Sequence, residues 1–236
     1  MLLLSVLSAT DLALRAAAAF RSGAVLVDPA YLPAHELHAA RGAAMALHSR
    51  FASAPAGVRS SRTVDASVRL CEKLDLLSDE VWPALPAGLR DVACKLDALR
   101  AELTSSTGRA LLEDAELQLL TYEPNGFYAR HVDDGLGTGA ALRRSISLLL
   151  YLTPDDWRND ADGGQLRVHA VDGECARVHR VRSDGSSDEL ISDSRLDIVP
   201  QAGMLVLFDS ASVPHEVRPT QRQRSVVVGW LLERFK

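Results

Sequence analysis

The stretch Tyr122-Glu-Pro-Asn-Gly-Phe-Tyr-Ala-Arg-His-Val-Asp133 decides how this chain is read, because it closes on an imidazole and a carboxylate one residue apart. Far downstream come Pro214-His215 and then Arg224. Two imidazoles and one carboxylate are the set that holds Fe(II) on one face and leaves the opposite positions open. Iron with open positions can take an organic cosubstrate and dioxygen together, so His131, Asp133 and His215 point to oxidation chemistry. A His-x-Asp pair alone arises often by chance. A later His at the start of a strand, with an Arg beyond it, makes the pattern specific.

Working outward, Gly203-Met-Leu-Val-Leu-Phe208 and Ser225-Val-Val-Val-Gly-Trp-Leu-Leu232 are apolar, strand-like runs. The polar segment Arg218-Pro-Thr-Gln-Arg-Gln223 carries the proline expected of a turn. A hairpin centred near Pro219-Thr220 places His215 directly opposite Arg224, about 4.5–5.5 Å apart at Cβ. A guanidinium beside an iron ligand suits two-pronged capture of a carboxylate. A dicarboxylic keto acid, with one end on the metal and the other on Arg224, fits between them as 2-oxoglutarate would. Strand alternation puts Arg224, Val226, Val228 and Trp230 on one face, and Ser147, Leu149 and Tyr151 on another. Arg144 has the opposite parity from Tyr151, so it reaches the same pocket only through a bulge or from the rim.

Together with Arg144-Ser-Ile-Ser-Leu-Leu-Leu-Tyr-Leu152, Gly163-Gly-Gln-Leu-Arg167, Pro214-His-Glu-Val217 and Arg224-Ser-Val-Val-Val-Gly-Trp230, the opening stretch resembles the 2-oxoglutarate/Fe(II)-dependent dioxygenases. The likeness is to the prolyl 4-hydroxylase branch, including the hypoxia-type prolyl hydroxylases and their bacterial relatives, and covers residues 114–235. The resemblance implies an α+β chain: a double-stranded β-helix, a jelly-roll-like barrel, buttressed by N-terminal helices. It implies that His131, Asp133 and His215 are the iron ligands. Arg224 would pair with the far carboxylate of 2-oxoglutarate, Tyr151 would share that carboxylate, and Tyr122 would lie near the keto-acid end. Arg144, Tyr128 and Trp230 would surround the substrate mouth. The implied cofactors are Fe(II), 2-oxoglutarate as cosubstrate and O2, with ascorbate as reductant; the implied partner is a protein or peptide with a target proline. Asp133 separates the chain from halogenating relatives, which lack the carboxylate ligand. Trp230 stands where the nucleic-acid dealkylases carry a second Arg. Phe208-Asp209-Ser210 departs from the Trp-containing stretch of the hypoxia-type enzymes, and residues 170–197 form a longer, charged connection. The rival readings are an oxygenase of a small molecule or another side chain on the same scaffold, and a cupin-like binding protein without catalysis.

Composition bounds these readings. At 236 residues one domain spanning 1–236 is expected, with 1–113 mainly helical support and 114–236 the barrel. A hydrophobic content of 47% with 24% charged residues is globular rather than disordered. A net charge of −5 argues against a nucleic-acid groove, which is normally basic. Cys71, Cys94 and Cys175 are odd in number and share no metal spacing, which favours reduced thiols and a cytoplasmic location, with the nucleus or an organelle as the alternative. No apolar run approaches the roughly 18 residues of a membrane span, so no membrane partner is expected.

Along the chain, helices are expected over 1–21, Leu32 to Phe51 and most of Asp75 to Leu103, with a strand at Ala24-Val-Leu-Val27. Asp28-Pro29 reads as a helix start, and Ser53 to Arg69 as a polar connection. Strands are expected at 115–122, 143–153, 165–171, 195–199, 204–208, 213–218 and 224–233. Asp184 to Glu189 reads as an exposed loop, and Asp155 to Asp162 as a solvated turn without the spacing of a calcium loop. His35, His38, His48, His169 and His179 read as surface or packing residues.

Overall fold

The structure is a computed structural model that describes residues 7–53, 65–133, 141–171, 173–182 and 184–235. Its first helix, α1 (Ala9–Arg21), begins where Ser8 caps it. The Ser8 hydroxyl accepts from Asp11 N–H at 3.1 Å and donates to the Asp11 carboxylate at 2.7 Å, a reciprocal cap. Helix therefore starts at Ala9, and residues 1–6 of the expected helix lie outside the described residues. Strand β1 (Val25–Asp28) follows. Asp28 does not start a helix. Its carboxylate turns back to accept from Ala30 N–H at 3.0 Å, and α2 (Ala34–Ala46) begins only after Pro33.

Of the expected connection Ser53 to Arg69, residues 54–64 lie outside the described residues; strands not expected from the sequence lie at its two ends and just beyond, β2 (Ala52–Ser53), β3 (Arg69–Leu70) and β4 (Glu72–Asp75). The long helix α3 (Ala87–Thr107) starts after the prolines, which allow a single 3-10 turn at Trp82–Ala84, and stops at Gly108 in the left-handed region. Then come β5 (Leu111–Tyr122), β6 (Phe127–His131), β7 (Leu142–Tyr151), α4 (Asn159–Asp162), β8 (Leu166–His169), β9 (Ala176–Val181), β10 (Ser187–Ser192), β11 (Arg195–Ile198), β12 (Leu205–Asp209), β13 (His215–Val217) and β14 (Arg224–Arg234). The 170–197 connection is thus largely a β9–β10 hairpin, in which part of the expected 184–189 loop is strand.

A nine-stranded sheet runs β10-β9-β1-β12-β7-β14-β5-β4-β2, and a five-stranded sheet runs β11-β8-β13-β6-β3. Pairing is antiparallel except between β1 and β9. Alternation divides the core in two. Leu117, Leu119, Ile146, Leu148, Leu150, Val227 and Leu231 pack with the helices outside the large sheet. Leu120, Tyr122, Leu149, Tyr151, Val226, Val228 and Trp230 meet Leu166, Val168 and Val217 of the small sheet inside the barrel. The helix-buttressed double-stranded β-helix is therefore the observed architecture.

Two details of register decide the site. First, β13 and β14 are not a hairpin pair. His215 pairs with His131 and Val168 in the small sheet, while Arg224 pairs with Tyr122 in the large one. The corner between them spends its backbone groups elsewhere: Arg218 N–H donates to Gln165 O, Thr220 N–H to Gly126 O and Gln221 N–H to Asp162 O. That pins the chain as it crosses between sheets. Second, β7 bulges at Ser145: Leu231 pairs with Ile146, but Leu232 pairs with Arg144. The extra residue reverses parity, so the bulge, not the rim, turns Arg144 toward Trp230.

Candidate metal centre and carboxylate pocket

Neighbouring strands β6 and β13 bring His131 and His215 into register, with ring centroids 4.3 Å apart. Asp133 lies just past the end of β6, held by its N–H donating to Ser210 O at 3.0 Å. Each imidazole gives its Nδ1–H to a carbonyl, His131 to Ala129 O at 2.8 Å and His215 to Val213 O at 3.0 Å. That tautomer leaves both Nε2 atoms free as donors to a metal. His131 Nε2 is 3.4 Å from Asp133 Oδ1, His215 Nε2 is 3.8 Å from Asp133 Oδ2, and all three groups offer ligand atoms within 4.8 Å of one another. Donors about 2.0–2.2 Å from one ion stand about 3–4 Å apart, so the set fits a first-row metal.

The electrostatics suit the same role. Burial, with His131 beside it and against the pull of Asp133, lowers His215 to about 4, so its ring is neutral at neutral pH. Burial works to raise Asp133, but His215, His131 and Arg144 together hold its carboxyl well below the usual carboxylate range. A neutral imidazole and an ionised carboxylate are the metal-binding forms.

Arg224, at the first position of β14, is fully buried, and its Nε and both terminal nitrogens have no hydrogen-bond partner among the described residues. The rings of Tyr122 and Tyr151 flank it at 5.0 and 4.9 Å. The Tyr151 hydroxyl is likewise buried and unpartnered. Gly164 makes room for this side chain: at φ +68°, a Cβ there would stand 2.9 Å from Arg224 Cδ. A buried cation beside a buried hydroxyl is costly unless an anion meets both, so this cradle fits one carboxylate of 2-oxoglutarate. As the side chains stand, the cavity touching the triad is about 30 Å³ and is walled by Arg69, Tyr122, Tyr128, Leu149, Val228 and Trp230. A larger cavity of about 750 Å³, beside α2 at Arg41, Met45 and Phe51, touches none of the triad.

The residues expected at the mouth are also gathered here. Tyr128 stacks on His131 with centroids 3.7 Å apart. The Arg144 guanidinium lies 3.7 Å over the Trp230 ring and pairs with Glu116. His35, His38 and His48 are exposed, and neither His169 nor His179 joins a metal cluster among the described residues.

Three neighbours escaped the sequence reading. Arg69 is buried, donates from Nε to Cys71 Sγ at 3.1 Å and lies 4.5 Å over the Tyr128 ring. It sits on a two-residue strand, too short for periodicity to reveal. Ser147 and Ser210 contact Asp133 and each other. Ser147 shared a predicted face with Tyr151, which was the one available signal.

No curated protein matches the chain by sequence. Among solved structures, a Pseudomonas putida prolyl-4-hydroxylase is 25% identical over 94% of this chain and 99% of its own, with a TM-score of 0.68. A prolyl hydroxylase from Trichoplax adhaerens, in complex with a hypoxia inducible factor oxygen degradation domain peptide fragment, has a TM-score of 0.73 at 17% identity over 94% and 90% of the two chains. A non-heme alpha ketoglutarate dependent epimerase from nogalamycin biosynthesis shares the fold, with a TM-score of 0.58 at 15% identity over 94% and 82%. The family model of the 2OG-Fe(II) oxygenase superfamily matches residues 117–232, from β5 through most of β14. That stretch, with triad and cradle both inside it, is where the chain is similar to the 2OG-Fe(II) oxygenase superfamily.

Proposed function

We propose that this chain, acting as a single domain over 1–236, is a 2-oxoglutarate- and Fe(II)-dependent hydroxylase of the prolyl 4-hydroxylase kind, with a proline of a protein or peptide as its target. The observation that carries the reading is the buried, unpartnered Arg224 flanked by Tyr151 and Tyr122 in the barrel that holds the triad. His131 Nε2, Asp133 Oδ1 and His215 Nε2 would hold the iron. Arg224 and the Tyr151 hydroxyl take the far carboxylate of 2-oxoglutarate, and Tyr122 closes that end of the pocket. When bound, iron with 2-oxoglutarate and O2 supplies oxidation of a C–H bond to C–OH, releasing succinate and CO2, with ascorbate keeping the metal reduced. The chain's own part would be orientation and exclusion of water, with Tyr128 stacked on His131, Trp230 walling the cavity at the triad and Arg144 over the Trp230 ring.

The proline target draws support from the likeness to the Pseudomonas putida enzyme along nearly all of both chains. The same scaffold also carries an epimerase and a carbocyclase of nogalamycin biosynthesis, so a small-molecule substrate is the second reading. The deciding experiment incubates the protein with Fe(II), ascorbate, 2-oxoglutarate and a panel of proline-containing peptides. Succinate release coupled to gain of one oxygen on a peptide proline supports the proposal. Succinate release without any peptide product favours the small molecule, and no succinate at all favours a binding protein.

A further inference from the structure

Asp133 is 6% exposed, and its two oxygens are held differently. Oδ2 accepts a 2.7 Å hydrogen bond from Ser147 Oγ, which itself lies 2.8 Å from Ser210 Oγ. Both serines are fully buried. Proton counting orients the run. An ionised carboxylate only accepts, so the single Ser147 proton is committed to Asp133. In the second contact Ser147 must then accept, and Ser210 must donate. The order Ser210 to Ser147 to Asp133 is a chain in which each bond polarises the next.

The backbone anchors the chain at both ends. Asp133 N–H donates to Ser210 O at 3.0 Å, and Ser210 N–H donates to Ser145 O at 3.2 Å. Arg109, next to the residue that caps α3, donates to Ser145 O at 2.7 Å, to Ser145 Oγ at 3.0 Å and to Asp209 Oδ2 at 2.5 Å. The β7 bulge, the end of β12 and the ligand-bearing turn are therefore clamped together, with the two hydroxyls between them.

We infer that Ser147, backed by Ser210, is a positioning residue that holds Asp133 as a one-oxygen ligand and thereby sets the affinity of the triad for its ion. The inference rests on the metal reading proposed above. Without the Ser147 hydroxyl the carboxylate is free to turn and to offer either oxygen or both. Ser210 acts at one remove, by strengthening the donor that Asp133 feels. Outer partners of this kind typically change metal affinity 10- to 100-fold.

The probe is Co(II) alone, titrated without oxygen into metal-free protein and followed by its ligand-field absorption, with thermal unfolding of each metal-free variant as a folding control. Ser147→Ala should weaken Co(II) binding about 10- to 100-fold and alter the absorption band. Ser210→Ala should weaken it less, and Ser147→Thr should recover both affinity and band. An unchanged affinity and band in Ser147→Ala overturns the inference, as does a folded Ser147→Thr that recovers neither. If Ser147→Ala does not fold, Ser210→Ala decides: weakened binding supports the chain, and wild-type binding overturns it. Wild-type protein that takes up no Co(II) removes the metal centre and the inference together.

Discussion

Replacing Arg224 by methionine should move two measurements in opposite directions. The guanidinium is fully buried, lacks a hydrogen-bond partner among the described residues and lies between two tyrosine rings. Removing one partner of a buried, hydrogen-bonded charge pair costs about 3–5 kcal/mol, which at about 1.4 kcal/mol per factor of ten is roughly 140- to 3,700-fold in affinity for 2-oxoglutarate. In the ligand-free protein the sign reverses, because methionine of similar length removes a buried charge whose desolvation is offset only in part by the two tyrosine faces. Each kcal/mol recovered should raise the thermal midpoint by about 2–4 °C in a chain of this size. Calorimetric titration of 2-oxoglutarate into Mn(II)-loaded protein measures the first effect without turnover, and scanning calorimetry of metal-free protein measures the second. Arg224→Lys should restore binding only in part, since an ammonium lacks the forked geometry. Binding by Arg224→Met within about threefold of wild type, against the loss expected for a broken pair, refutes the reasoning. Arg222 and Arg218 are poor substitutes for the role: both are about 40% exposed, and they already pair with Asp156 at 2.9 Å and Glu216 at 3.3 Å.

Gly164→Ala should weaken 2-oxoglutarate binding by about tenfold or more, since its Cβ would displace Arg224 from 2.9 Å away. Gly173→Ala is the control, with φ +81° and nothing within 4 Å of its Cβ: it should strain the backbone and leave binding untouched. Asp28 has a carboxyl raised by burial, only partly offset by the Ala30 hydrogen bond and the charges of Lys95 and Arg15. A raised folded value means stability present at low pH and lost as pH rises through it. Asp28→Asn should therefore raise the melting temperature at pH 7, with the gain disappearing below about pH 4; an equal gain at both pH values contradicts the assignment. Arg144→Ala, which loses the Trp230 stack and the Glu116 pair, should depress coupled hydroxylation while slow substrate-free turnover of 2-oxoglutarate persists. Equal loss of both activities marks a folding defect instead.

The chemistry was legible in the sequence because it resides in residue types at short spacing. His131 and Asp133 are two residues apart, and the alternation of Arg224, Val226, Val228 and Trp230 follows from the pleat of one strand. Such features survive whatever the rest of the chain does. The apolar strands were visible for the same reason, while β3 and β4 were not: Arg69-Leu70 is two residues, Glu72-Lys-Leu-Asp75 has a single apolar side chain, and they pair with β6 and β5.

What the sequence by itself determined is the candidate triad, the candidate basic residue and the long strands of the C-terminal half; that β1 to β4 of the N-terminal half join the same two sheets was not among them. Only the tertiary structure decided how His215 and Arg224 meet. A local turn predicted them opposite each other on one hairpin, whereas backbone hydrogen bonds to Gly126, Asp162 and Gln165 carry the chain from one sheet to the other. The triad histidines and the Arg224 cation therefore belong to two different walls of the barrel. The bulge at Ser145 that turns Arg144 inward, and the Ser147–Ser210 pair on Asp133, depend likewise on which strands become neighbours. Register between distant strands is set by the sum of many weak contacts across the chain, and no local pattern of residues encodes that sum.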